Sequence, residues 1–155
     1  MPNVKVDLEY VQGYRCKDCR QNLYYGDKDT LIFHAAATMI QHSIKNNTQQ
    51  LDTTHNDDIL SIDYHKPTNQ IITGELGPKP LVCLYKNGNL DKKFVAPVKK
   101  GVLAIAISPD GRKAACAGMD DDHHVSVLDL ESGKILVTTK GSKKVIMKIV
   151  WTGPN

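Results

Sequence analysis

Three places in this 155-residue sequence gather side chains able to do chemistry. Asp120-Asp121-Asp122-His123-His124 sets hard carboxylates beside borderline imidazoles, the ligand types that hold divalent cations. Cys16 and Cys19 have the C-x-x-C spacing of half a zinc site, but Cys83 and Cys116 stand alone and supply no second pair. A packed thiol is therefore the preferred reading of Cys19. His55 with Asp57 and Asp58 has the composition of an acid/base group, yet no nucleophile elbow or phosphate-cradling glycine loop accompanies it. The sequence is read as that of a non-enzyme holding neither metal nor cofactor. A metal-dependent hydrolase built on residues 120–124 is a minor alternative.

Composition narrows the partners. Apolar residues make up 41% of the chain, enough for a core, and the net charge of +3 is mild. Lys92-Lys93, Lys99-Lys100 and Lys143-Lys144 are scattered among acidic residues and read as solvated loop charges, so nucleic-acid binding is not expected. No apolar run approaches the roughly 20 residues that cross a bilayer, and residues 1–7 have neither the basic end nor the apolar centre of a signal peptide. A cytoplasmic or nuclear protein with reduced thiols and no membrane partner is expected.

The elements that must position these groups follow from an internal repeat. Ile59-Leu60-Ser61-Ile62-Asp63-Tyr64-His65 aligns with Val102-Leu103-Ala104-Ile105-Ala106-Ile107-Ser108 and with Val145-Ile146-Met147-Lys148-Ile149-Val150-Trp151, each step being 43 residues. Apolar and β-branched runs alternate with turn chemistry: Ser108-Pro109-Asp110-Gly111, Asn87-Gly88 and Ser132-Gly133. Strands are predicted near 102–108, 113–118, 125–130 and 134–139, a four-stranded antiparallel meander. A period of about 40 to 45 residues with four strands is that of a WD-type propeller blade. Residues 31–40 would pass as a helix on propensity, but the repeat offset favours strands there with a turn at Asn46-Asn47. In this scheme residues 120–124 fall in a loop between a blade's second and third strands, where polar residues are ordinary.

Upstream lies Leu8-Glu9-Tyr10-Val11-Gln12-Gly13-Tyr14-Arg15-Cys16-Lys17-Asp18-Cys19-Arg20-Gln21-Asn22-Leu23-Tyr24-Tyr25. It closely resembles the HELP motif that opens the tandem propellers of the echinoderm microtubule-associated protein-like family. Tyr10, Gly13, Tyr14, Arg15, Asp18, Cys19, Arg20, Asn22, Leu23 and Tyr24 are the matching positions, and His55-Asn56-Asp57-Asp58-Ile59 looks like the family's start of a first full blade. Cys16 stands where the family usually has glycine, Thr54 replaces the glycine before the histidine, and Tyr85-Lys86 and Leu128-Asp129 stand where a Trp-Asp pair would end a blade. The resemblance implies structural roles: the HELP segment packs against the propeller, Arg15 and Arg20 serve intramolecular packing rather than base stacking, and His55, Asp57 and Asp58 belong to a hydrogen-bonded blade start.

The expected fold is all-β, a partial WD-repeat β-propeller of about three and a half blades preceded by a HELP segment. Residues 1–54 are assigned to the HELP motif and a partial first blade, 55–98 and 99–141 to WD-like blades, and 142–155 to the first strand of a further one. Closed propellers use about four to eight blades, so the ring is expected to need further blades from the same or another polypeptide, and the chain alone to fold poorly or self-associate. The resemblance implies a microtubule- or tubulin-binding scaffold of the cytoskeleton, cytoplasmic or in a ciliary axoneme, with other microtubule-associated proteins as further partners. The alternative is a generic WD-repeat adaptor without tubulin contact. Candidate partner-binding loops hold Lys66 and Asn69, Lys99 and Lys100, and Asp120, His123 and His124.

Overall fold

Short runs of β-branched and small apolar residues, broken by turns with positive φ at Asn47, Asn69, Asn87, Gly111 and Gly133, fold back on themselves at regular intervals. The computed structural model describes residues 6–153; residues 1–5 and Pro154-Asn155, which enter the readings of the amino terminus and of the last blade, lie outside the described residues. Among the described residues twelve strands form three four-stranded antiparallel sheets in simple up-and-down order, with one 3-10 turn at Lys66–Thr68. The first sheet holds β1 (Leu23–Tyr25), β2 (Thr30–Ala35), β3 (Thr38–Ser43) and β4 (Thr48–Asp52). The second holds β5 (Ile59–His65), β6 (Gln70–Glu75), β7 (Leu81–Lys86) and β8 (Asn89–Val95). The third holds β9 (Val102–Ile107), β10 (Lys113–Gly118), β11 (Val125–Asp129) and β12 (Ile135–Thr139). The all-β architecture and the WD-type blade pattern are those expected.

Two details differ from the expectation. The first sheet has four strands, where a partial blade was anticipated, because the tripeptide β1 pairs Leu23, Tyr24 and Tyr25 with Phe33, Ile32 and Leu31. Residues 142–153 carry no strand; instead Trp151 Nε1 donates to the Ala106 carbonyl at 3.1 Å, laying this segment beside β9. The helix-like stretch at 31–40 folds as β2 and β3 about a tight turn at Ala36, φ +48°. Burial overrides propensity there, since Ile32, His34, Met39 and Ile40 are all withdrawn from water.

Blades stack face to face, with β5 and β9 side by side. Ser61 Oγ donates to the Val102 carbonyl at 2.7 Å, and the Ile107 N–H donates to Asp63 Oδ2 at 2.7 Å. The Asp63 carboxylate also accepts the Tyr24 hydroxyl from β1 at 3.1 Å, so one side chain joins three sheets. The core between the second and third blades is built from Ile72, Val82, Leu84, Val102, Ile105, Ile107 and Cys116. That between the first and second contains Ile32, Met39, Ile59, Ile62, Ile71 and Tyr85.

The tightest approach is at Gly74, where an added Cβ would stand 2.5 Å from the Val102 Cβ and 3.0 Å from Ser61 Oγ. Backbone and branched side chains cannot both retreat inside a close-packed seam. Gly74→Ala is expected to lower stability by about 1–3 kcal/mol. A shifted urea midpoint at unchanged slope is the expected readout, and an unchanged midpoint would mean that the seam has slack.

Candidate functional site: blade seams and rim loops

His55 sits in the loop between β4 and β5, 5% exposed, and is consumed by its own blade. Its Nδ1 lies 2.8 Å from Glu75 Oε2 and its Nε2 2.6 Å from Thr73 Oγ1, both on β6. Glu75 in turn accepts the N–H groups of Asn56 and Leu81, at 3.0 Å each. Tyr85, fully buried on β7, donates to Asp52 Oδ1 of β4 at 3.0 Å, which ties the end of the first blade into the second. Burial holds the His55 pKa below its ordinary value and outweighs the Glu75 carboxylate, which works to raise it. The expected companions stand elsewhere: Asp57 is exposed and caps the Asp58 N–H at 2.7 Å, while Asp58 pairs with Arg15 at 2.5 Å. The three residues do not form an acid/base cluster.

The third blade replaces this polar network with an apolar one. At the repeat step Val98 stands for His55, Cys116 for Thr73 and Leu128 for Tyr85, and all three are buried. Glu75 becomes Gly118, and Asp120 takes over its work from two residues further on. Its Oδ1 accepts the His124 N–H at 3.2 Å and lies 2.6 Å from His124 Nδ1. Burial works to raise the Asp120 pKa, but His124 and the backbone N–H groups of His124 and Lys99 outweigh it and leave the carboxyl below the ordinary range. His124 is the repeat counterpart of Leu81, so the two carboxylates cap one equivalent amide. Gly118 makes this possible, because a Cβ there would collide with Asp120 Oδ2 and Val98.

The HELP segment runs along the outer face of the first blade. Gln49 of β4 holds it by a reciprocal pair, accepting the Val11 N–H at 2.8 Å and donating to the Val11 carbonyl at 2.9 Å. Tyr10 donates to Asn47 Oδ1 at 3.1 Å, and Tyr14 donates to Asn22 Oδ1 at 2.6 Å while meeting Phe33 edge-on. Arg15 forms a fork on Asp18, at 2.7 and 2.8 Å, and reaches Asp58 of the second blade. That fork holds the Asp18 carboxyl below the ordinary range. Cys19 is buried and its thiol is pushed up to about 11 by burial, whereas Cys16 is exposed. Arg20 donates to the Cys19 carbonyl at 3.4 Å, Leu23 is exposed on β1, and Gly13 packs near Ala35.

The rim loops fall into two groups. Gly118 pairs with Val102 and Ala114 with Ile107, so the loops 99–101 and 119–124 share one end of the blades. His65 Nε2 lies 3.0 Å from the Pro109 carbonyl, so the turn holding Lys66 and Asn69 sits with residues 108–111 at the other end. Within the first group the charges neutralise one another: Lys100 pairs with Asp121 at 2.6 Å and Lys140 with Asp122 at 2.9 Å. His123 is buried, 3.0 Å from the Gly118 carbonyl. A cavity of about 420 Å³ opens here beside Lys99, Asp120 and Thr138. Among the described residues no group of three or more His, Cys, Asp or Glu side chains is arranged to hold a metal ion.

His34, Ser61, Asp63, Thr73 and Glu75 are among the polar residues of the seams that the sequence did not single out. His34 is fully buried between the first two blades with neither ring nitrogen bonded to a described residue. Burial, with Arg15 and His55 adding to it, pushes its pKa down to about 4 against the opposing carboxylates of Asp18 and Asp58. The folded state thus keeps His34 neutral while the unfolded chain takes up a proton near 6.5. Stability from this group is complete above about 6.5 and declines as pH falls towards 4, because the unfolded state binds more protons in that window. The loss at pH 5 is about 2 kcal/mol from the separation of those two values. His34→Phe should flatten the pH dependence of the urea midpoint between pH 7 and 5; a wild-type midpoint constant over that range would contradict the assignment.

Residues 1–40 match the HELP motif. The ciliary WD repeat-containing protein ctxp80 of Euplotoides octocarinatus is 29% identical over 97% of this chain and 24% of its own length. The 77 kDa echinoderm microtubule-associated protein of Strongylocentrotus purpuratus is 29% identical over 94% of this chain and 23% of its own. Echinoderm microtubule-associated protein-like 1 of Homo sapiens is 26% identical over 94% of the chain and 20% of its own. The chain therefore spans about a quarter or less of the length of these relatives. With a HELP segment stapled to WD-type blades and this likeness running along nearly its whole length, the chain is similar to proteins of the echinoderm microtubule-associated protein-like family.

Proposed function

We propose that this chain is part of a non-enzymatic scaffold that associates with microtubules through its propeller surface, in the cytoplasmic cytoskeleton or in a cilium. The supporting observation is the similarity to proteins named as microtubule-associated, which covers 94% of the chain and so includes the blades as well as the HELP segment. Asp63 joins blades and His55 and Glu75 are engaged within the second, and the reading assigns them structure rather than chemistry. Partner contact then belongs to the rim. Because Lys100 and Lys140 are already paired, exposed lysines add at most about 1 kcal/mol per pair in steering, and shape must supply specificity.

The test is co-sedimentation of the longest natural polypeptide containing this chain with microtubules, intact and with the acidic tubulin tails removed, alongside gel filtration with soluble tubulin. Binding at micromolar concentration, weakened only moderately by salt, is expected. Reversing Lys99 and Lys100 to Glu should change the affinity by less than about fivefold. If neither form of tubulin binds, a WD-repeat adaptor for another protein replaces this reading.

A further inference from the structure

At the end of the blades that carries residues 66–69 and 108–111, a cleft of about 350 Å³ opens between the second and third blades. That volume is within the usual range for ligand sites, about 300–1,000 Å³. Gln70, at the start of β6, forms its floor. It is on the same face of β6 as Ile72 and Gly74, turned towards the third blade, and only 7% exposed. Its Oε1 is shielded from water without a partner among the described residues, and its Nε2 has no bond to a described residue either. Burying the carboxamide oxygen without a donor costs about 1–3 kcal/mol, and Nε2 beside it is left to solvent, so the site suits a group that can both donate and accept.

The same chain shows what meets that requirement, for Gln49 clasps the Val11 peptide group through both ends of its carboxamide. The charges around Gln70 are largely settled. Lys86 pairs with Asp91 at 2.9 Å, and Glu131 with Lys92 at 3.3 Å. Asp110 accepts the Ser108 hydroxyl and the Arg112 N–H, and Asp129 accepts the Ser132 hydroxyl and N–H. Of the two cations lining the cleft, Lys86 is paired and the exposed guanidinium of Arg112 has no ion pair to a described residue.

We propose that this cleft binds an extended polypeptide segment carrying one carboxylate side chain. Gln70 pairs with the segment's peptide group and Arg112 takes the carboxylate as a charge-assisted hydrogen bond. The inference deepens the reading of the blades as a protein-binding surface but does not require that the partner be tubulin.

A fluorescein-labelled pentapeptide Thr-Val-Glu-Val-Thr, with its Gln and Lys versions, titrated against the full chain tests this by polarisation. The Glu peptide should bind about threefold to fivefold more tightly than the Gln peptide, the value of one exposed charge pair, and the Lys peptide more weakly than either. Arg112→Ala, a change at an exposed position, should remove the preference for Glu while the Gln peptide still binds. Gln70→Met, of similar size and unable to pair with a peptide, should abolish binding of all three at an unchanged strand spectrum. Absence of binding by the wild-type chain, equal binding of Glu and Gln peptides, or retained binding by a folded Gln70→Met chain would overturn the proposal. Because microtubules are absent from this assay, its outcome is independent of co-sedimentation.

Discussion

The inner strands of a blade array are buried on both faces, and the free edge of each points at its neighbour. An unsatisfied row of amides there would be costly, so the arrangement depends on side chains that cap one strand's edge from the next. Asp63 is the key instance: its carboxylate takes the Ile107 N–H from the third blade and the Tyr24 hydroxyl from the first. Ser61 on the Val102 carbonyl and Trp151 on the Ala106 carbonyl continue the same device along β9. With the inner strands in register, the outer strands need only antiparallel pairing within each blade.

Around that axis each blade solves a second problem in its own way, that of satisfying the loop amides between blades. The second blade uses Glu75 with His55 and Thr73, the third uses Asp120 with Val98 and Cys116, and the amide at the Leu81 and His124 positions is capped in both. A buried carboxylate two residues out of place is tolerated because Gly118 vacates the room it needs. The repeat thus preserves the hydrogen-bonding requirement rather than the residue that meets it. The HELP segment extends the logic to the open face of the first blade, with Gln49 fastening it there and Arg15 pinning it to the second.

Period, strand positions and the HELP segment were legible because they depend on local pattern: apolar runs, Asn-Gly and Pro-Asp-Gly turns, and a fixed step. The seam was largely hidden. Asp63 and Glu75 sit within strands whose alternation makes an acidic residue look solvent-facing; Asp63's partners lie across blade boundaries, and Glu75's lie away from its own strand. His55 was legible as a blade-start residue, but its partners Thr73 and Glu75 were not, since Asp57 and Asp58 lay nearer in sequence. The rim loops were grouped by composition, although strand parity separates them: 66–69 joins a first strand to a second and 119–124 a second to a third, so they lie at opposite ends. At 31–40 propensity and burial pulled in different directions, and burial of Ile32, His34, Met39 and Ile40 decided the outcome.

Native-state hydrogen exchange on the Asp63→Ala chain addresses the dependence on this one carboxylate most directly. If Asp63 fastens three blades, the Ile107 amide and the amides of β1 lose protection together with those of β5, while the amides of β12, remote from the carboxylate, keep theirs. Loss of protection confined to β5, with Ile107 and β1 unchanged, would contradict the account.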